Sequence, residues 1–223
     1  MGIMTISTFN SVVYFALNYT QVINVALVLA AIPAVTIIVS SFMKVDRTNV
    51  FQLIGLLLSV IGISSIISNA DINKILSLNF NKGDLWMIVC VLSWSLYSTL
   101  LKKNKFKLSQ FTLIQLMVSV GLFFLIPQYF YEQSIGLQIR YNKAFFLILF
   151  YVVTFPAIAA YYFWQKGVMI IGPNRSSMFI QLMPLFSAVM AIIIFNEKFE
   201  LYHFAGAVFI VSGIYLSNKK IND

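Results

Sequence analysis

Charge is what this sequence has least of. Only 10% of its 223 residues are Asp, Glu, Lys or Arg, against the roughly one quarter typical of a soluble domain. With 60% of residues hydrophobic, one water-facing core cannot bury the apolar surface, so lipid is the expected solvent for much of it. Cysteine occurs once, at Cys90, which excludes an intrachain disulfide and leaves the redox compartment unread. Inside an apolar run it reads as a small packing residue. A single histidine, His203, leaves no His/Cys metal cluster. No phosphate-cradling Gly-rich loop of the P-loop type occurs, which argues against an ATP-driven pump in one chain. The seven acids, Asp46, Asp71, Asp84, Glu132, Glu197, Glu200 and Asp223, all lie in or beside loops. Proton-coupled pumps keep a carboxylate within a span, so no proton relay is legible. No basic residue precedes Lys44, so a cleavable signal peptide, which needs a positive leading region, is not expected.

What is present is a series of apolar runs. A spanning helix needs about 20 apolar residues for about 30 Å of hydrocarbon. Eight candidates fall at 3–19, 22–43, 50–68, 85–101, 109–130, 144–165, 174–195 and 201–217. The first is the most polar, with Thr5, Ser7, Thr8, Asn10 and Ser11. The runs are too long and too continuously apolar for alternating barrel strands. The expected fold class is an all-α integral membrane protein, a polytopic bundle of about eight transmembrane helices.

The net charge of +8 sits between these runs. It therefore reads as loop charge that sets topology rather than as a nucleic-acid surface. With both termini cytoplasmic, ten basic residues face inward: Lys44, Arg47, Lys102, Lys103, Lys105, Lys107, Lys166, Arg175, Lys219 and Lys220. Five face outward: Lys74, Lys82, Arg140, Lys143 and Lys198. The bias favours that orientation.

An internal repeat appears on sliding the sequence by 151 residues. Pro33 then falls on Pro184, Gly55 on Gly206, Gly62 on Gly213, and Asp46-Arg47 on Glu197-Lys198. Each copy reads as an apolar helix with a central proline, an acid-base pair in a short loop, and a helix with two glycines seven apart. Five landmarks in register over about 30 residues are hard to obtain by chance. The copies are offset by five helices, and an odd offset reverses direction, so the repeat is inverted, a construction used by secondary transporters.

At these residues the chain resembles an EamA-type member of the drug/metabolite transporter superfamily. The resemblance rests on Ala16-Leu17-Asn18-Tyr19-Thr20, the Pro33 helix, and Gly55 with Gly62. In the second half it rests on Gly83-Asp84-Leu85, on Ser93-Trp94-Ser95-Leu96-Tyr97 followed by Leu101-Lys102-Lys103, on Pro184, Asn196-Glu197-Lys198, Gly206 and Gly213. It covers nearly the whole chain. It implies ten helices in two inverted halves of five, a central cavity, alternating access, and a small metabolite such as an amino acid, nucleoside, sugar or drug as cargo. It also implies residence in a bacterial inner membrane.

The chain departs from that pattern. Its second repeat, 83–218, is read as complete at five helices, whereas the first, 1–70, has three; 71–82 links them. The incomplete inverted repeat is thus three plus five, and the absent pair belongs before Met1. A mis-assigned start, a decayed gene and a working short form all fit. The half-complete repeat also invites a second chain, as a homodimer.

The residues that carry chemistry are few. Pro33 and Pro184, each read as mid-helix, remove a backbone hydrogen bond and bend the helix; their matched placement points to a role in shaping a cavity. Pro156, unmatched, reads as a kink. Gln181, one turn before Pro184, is the leading intramembrane polar candidate, since such side chains face the bundle interior. Its repeat counterpart is Ala30, so its contact is one-sided. Trp94 and Tyr97, three apart, share a helical face and, with Tyr161, are candidates to line the cavity; packing or a lipid-interface belt is the competing role. Gly55, Gly62, Gly206 and Gly213 read as close-packing positions. Asp46, Arg47, Glu197 and Lys198 read either as gates or as turn chemistry with an exposed pair worth under about 1 kcal/mol. Asn174 is a plausible helix N-cap, and Arg175 reads either as meeting an anionic substrate at the cytoplasmic mouth or, the stronger reading, as snorkelling to headgroups. No cofactor or metal is expected. The partners expected are a small-molecule substrate and the bilayer, not nucleic acid. A non-transporting membrane protein is the first alternative. A membrane enzyme is remote, for want of clustered catalytic side chains.

Overall fold

The structure, a computed structural model, describes residues 1–79, 81–103, 108–136, 141–195 and 198–219. Among the described residues there are eight apolar helices: α1 (Ile3–Ala16), α2 (Val22–Leu29 continuing as Ile32–Phe42), α3 (Val50–Ser68), α4 (Lys82–Lys103), α5 (Gln110–Ser134), α6 (Lys143–Ile171), α7 (Pro173–Phe195) and α8 (Leu201–Ser217). A one-turn helix, Ile72–Leu76, lies between α3 and α4. Six of the eight are long and apolar enough to cross a membrane, while α1 and α8 are shorter. The outer faces of α5 and α6 stay apolar and exposed, with Phe123, Phe124, Phe146 and Phe150 among them. Such a surface is stable only against lipid, and the chain is a multi-pass α-helical membrane protein.

Local chemistry sets the helix ends. At α3, Asn49 Oδ1 accepts from Gln52 N (2.8 Å) and Gln52 Oε1 from Asn49 N (3.3 Å), a reciprocal cap that satisfies two orphan donors. Asn69 closes the same helix in the left-handed region, φ 57°, where asparagine is tolerated. At α4, the buried Asp84 carboxylate accepts from Thr20 Oγ1 (2.5 Å), Asn24 Nδ2 (3.2 Å) and Asn81 N (2.9 Å). One acid thus ties the start of α4 to α2 and to the loop after α1.

Helices two or four places apart in the chain run parallel, as their contacts show. Ser7 and Ser11 of α1 bond Gly121 O and Gln128 Oε1 of α5 in ascending order, so these two are parallel. The α2–α4 pair is likewise parallel, through Asn24–Asp84 and Thr36–Ser95. So is the α4–α6 pair, through Trp164 Nε1–Ser98 Oγ and Lys102 Nζ–Met169 O. There, the Lys102 ammonium meets a carbonyl of the last turn of α6, where a cation is favoured.

α3 and α8 cross antiparallel at their glycines. A Cβ on Gly62 would lie 2.6 Å from the Gly206 carbonyl oxygen, and one on Gly206 2.9 Å from that of Gly62. Gly55 and Gly213 face each other in the same way. Sliding by 151 residues exchanges these two pairs. Ser59, midway between them, bonds the carbonyl of Ile210, its own counterpart (3.4 Å).

The proline helices differ from the sequence expectation. Neither proline sits in a continuous helix. α2 breaks at Ala30–Ala31, which places Pro33 second in the segment Ile32–Phe42. α7 breaks in a tight 3₁₀ turn at Phe179–Gln181, which places Pro184 third in Leu182–Phe195. A proline in a first turn gives up a hydrogen bond the helix lacks there anyway, so each helix breaks one turn ahead of its proline instead of kinking at it. Pro156 lies where α6 widens to π geometry over Val153–Ala159, a common accommodation of strain within a helix.

Candidate functional site

The two breaks open onto one cavity. It has a volume of about 670 Å³ and lies between the first half of α2, the end of α3, the break of α7 and the start of α8. Val25, Leu29 and Ala30 of α2, Ile63 and Ile66 of α3, and Met183, Pro184 and Ala188 of α7 make it largely apolar. Its polar lining is Gln181, Ser187, Asn69, Tyr202 and His203. No Asp, Glu, Lys or Arg is among the described lining residues. His203 Nδ1 accepts the backbone N–H of Glu200 (3.0 Å).

Gln181 stands out within this wall. It is 1% exposed, yet neither its Oε1 nor its Nε2 bonds another group among the described residues. A buried amide left in that state costs about 1–3 kcal/mol per group. The 3₁₀ turn Phe179–Gln181 places it among the cavity-lining residues at the break of α7. Ala30, its counterpart by the repeat, faces the same cavity from the break of α2.

The cavity runs toward one end of the bundle, where Asn69, Tyr202 and His203 lie. At the other end α2 and α7 are joined. Ser40 Oγ donates to Asn174 Oδ1, and both side chains are fully buried. Asn174 is therefore not the N-cap that its sequence position suggests. Gly172 takes that position at φ 86°, and the Asn174 amide turns inward to α2. Beside it, a Cβ on Gly172 would lie 2.7 Å from Asp46 Oδ2, so the α2–α3 loop abuts the start of α7. Asp46 Oδ1 also accepts the Arg47 backbone N–H (2.9 Å).

The remaining candidates fall elsewhere. Pro33 is buried at the break of α2, outside the cavity lining. Trp94, Tyr97 and Tyr161 do come together, but in a separate aromatic cluster with Phe9 and Trp164. Its ring centroids lie 4.9 Å apart for Phe9–Trp94, 5.6 Å for Trp94–Tyr97 and 6.3 Å for Tyr97–Tyr161. α1 fills the space these rings would otherwise line, with Met1 and Met4 packed against them. Lys198 is exposed. Glu197 lies outside the described residues, as do Asn196, Lys105, Lys107, Arg140 and Lys220.

Sequence reasoning missed Ala30 as a lining residue, and Ser187, Asn69, Tyr202 and His203 with it. The 151-residue register offered one signal, since it pairs Ala30 with Gln181. It also missed the buried seam of Thr36–Ser95 and Ser40–Asn174 hydrogen bonds, whose hydroxyls give no periodic pattern.

Comparison with known proteins agrees with this architecture. The EamA-like transporter family matches residues 81–219. The chain is similar to the uncharacterized transporter YyaM of Bacillus subtilis (strain 168), with 25% identity over 217 residues, covering 96% of this chain and 70% of that protein. It is also similar to an uncharacterized transporter of Archaeoglobus fulgidus, with 27% identity over 207 residues, covering 93% of this chain and 70% of that protein. A crystal structure superposes with a TM-score of 0.81 at 15% identity, covering 97% of this chain and 75% of the other; that likeness speaks for the fold.

Proposed function

We propose, for a chain that belongs to the EamA-like transporter family, that it moves a small metabolite across a bacterial inner membrane by alternating access. The substrate site is the cavity between the broken helices. The observation that carries this reading is the convergence of both breaks on one apolar cavity, with the unbonded amide of Gln181 in its wall. Transporter sites are built at repeat interfaces from discontinuous helices. On this reading residues 1–70 and 83–218 are the two copies, 71–82 joins them, and Gly55, Gly62, Gly206 and Gly213 form the pivot between copies.

The gate follows from the two ends of the cavity. Ser40–Asn174, together with Asp46 against Gly172, closes the end at the 44–49 loop. The end at Asn69 and His203 is the open one. With cytoplasmic termini the closed end is cytoplasmic, so this conformation faces outward. Asp46 acts in the gate as an acceptor placed at the start of α7, and Arg47 only shapes the turn. Transport requires the Ser40–Asn174 bond to break as α2 and α7 rock about the glycine crossing.

The transport reading is tested by flux of a pooled metabolite panel in cells making the chain. Loss of flux on Ala30→Trp, which fills the cavity, supports it. No flux from confirmed, inserted protein favours a non-transporting membrane protein.

A further inference from the structure

Resting on the assignment of this cavity as the substrate site, we infer that its ligand is uncharged and presents an N–H donor beside a carbonyl acceptor, as a cyclic imide or lactam does.

Two observations carry this. The first concerns charge. The described lining holds no Asp, Glu, Lys or Arg, its imidazole, His203, is engaged through Nδ1 by the Glu200 backbone N–H, and Val25, Leu29, Ile63 and Ile66 line the same cavity as Gln181 with hydrocarbon. A charged ligand in such a wall lacks the opposite charge that must offset its desolvation. The second concerns hydrogen bonding. Gln181 is 1% exposed, with both Oε1 and Nε2 unbonded. A primary amide offers an acceptor and a donor side by side, and the complement of that edge is another cis-amide edge, which forms two parallel hydrogen bonds. A ligand with only one of the two groups leaves the other half of the buried amide unsatisfied. Ala30 faces the cavity where a second amide would stand in a symmetric site. The ligand therefore has one polar edge and an apolar remainder, and it binds in one orientation. Sites of about 300–1,000 Å³ bury a drug-sized molecule, so the cavity volume of about 670 Å³ admits a ring with a substituent.

The experiment uses the purified full chain in two formats. Thermal stabilisation in detergent reads binding, and counterflow of labelled uracil in proteoliposomes reads transport. Uracil, thymine and glutarimide are the uncharged cis-amide probes. Uracil methylated on both ring nitrogens lacks the donors, and orotate adds a carboxylate to the same ring. At least one uncharged probe stabilises the chain and exchanges. The methylated ring and orotate compete about tenfold more weakly or worse, the scale of one lost buried hydrogen bond. Gln181→Leu lowers binding by about tenfold or more. Gln181→Glu binds better as pH falls, because only the protonated carboxyl offers donor and acceptor together; a merely structural role for Gln181 does not give that profile.

Equal competition by the methylated ring overturns the inference, as does binding indifferent to Gln181→Leu. Absence of binding by all three uncharged probes also overturns it. A charged metabolite whose flux is lost on Ala30→Trp sinks the ligand class and leaves the transport reading standing. Binding of an uncharged probe without exchange of any solute does the reverse.

Discussion

Gly172 and Asp46 illustrate how single residues hold the closed end. Gly172 has φ 86°, and an added Cβ would meet Asp46 Oδ2 at 2.7 Å. Gly172→Ala therefore carries two penalties, the backbone conformation (φ 86°, ψ 163°), about 1–3 kcal/mol, and the clash. Asp46→Ala in the same chain removes the clash alone, so the double variant recovers part of the lost stability in a thermal unfolding scan. A double variant no more stable than Gly172→Ala places the whole cost in the backbone. Asp84 offers a second test. Its carboxylate satisfies three donors from two loops and α2, and Asp84→Ala strands them. A loss of about 2–3 kcal/mol is expected, read as a lower unfolding temperature in detergent. The sequence placed Asp84 correctly beside a loop but gave no hint of its burial, because its donors come from positions 20, 24 and 81.

Among the elements, the glycine helices and the proline helices were legible to different degrees. The α3–α8 crossing was readable because two glycines seven apart, repeated at a fixed offset, describe a helix face. Gly62→Val puts a branched side chain against the Gly206 carbonyl and Ile210. Overpacking of this kind costs about 1–3 kcal/mol, again measured by thermal unfolding. The prolines were legible as a matched pair, but where each helix breaks was not. That depends on which turn the chain gives up, and the structure gives up the turn before each proline. Pro33→Ala and Pro184→Ala restore donors that permit continuous helices. They are expected to leave stability within about 1 kcal/mol while lowering flux, and equal flux would mean the breaks are not functional. Trp94, Tyr97 and Tyr161 show the other limit. Their shared face was readable from the spacing, but which helix meets that face was not. α1 packs against it, so Trp94→Ala is expected to cost stability by about 3 kcal/mol through lost ring contacts.

At the scale of the whole molecule, each of the eight apolar runs holds a helix, 50–68 and 201–217 matching to the residue and 144–165 ending six residues short of Ile171, because lipid leaves only helices able to satisfy their own backbone. Alternating direction followed from the runs, and the parallel α1–α5, α2–α4 and α4–α6 pairs and the antiparallel α3–α8 pair agree with it. What the runs do not encode is where the bundle stays open, since that depends on which faces find partners. Orientation is tested by single cysteines placed in a Cys90→Ser background. A thiol at Lys44 is expected to react with an impermeant reagent only from the cytoplasmic side, and one at Lys74 only from outside. The reverse pattern would invert the gate assignment. The central claim is that the cavity between the two broken helices is where the substrate sits. Its most direct measurement is metabolite flux in cells making the 223-residue chain, compared with Ala30→Trp and Trp94→Ala variants shown to be inserted and monodisperse. Flux that Ala30→Trp abolishes and Trp94→Ala largely preserves is the expected result. Flux that survives the filled cavity but falls with Trp94→Ala would move the site to the aromatic cluster and contradict the account.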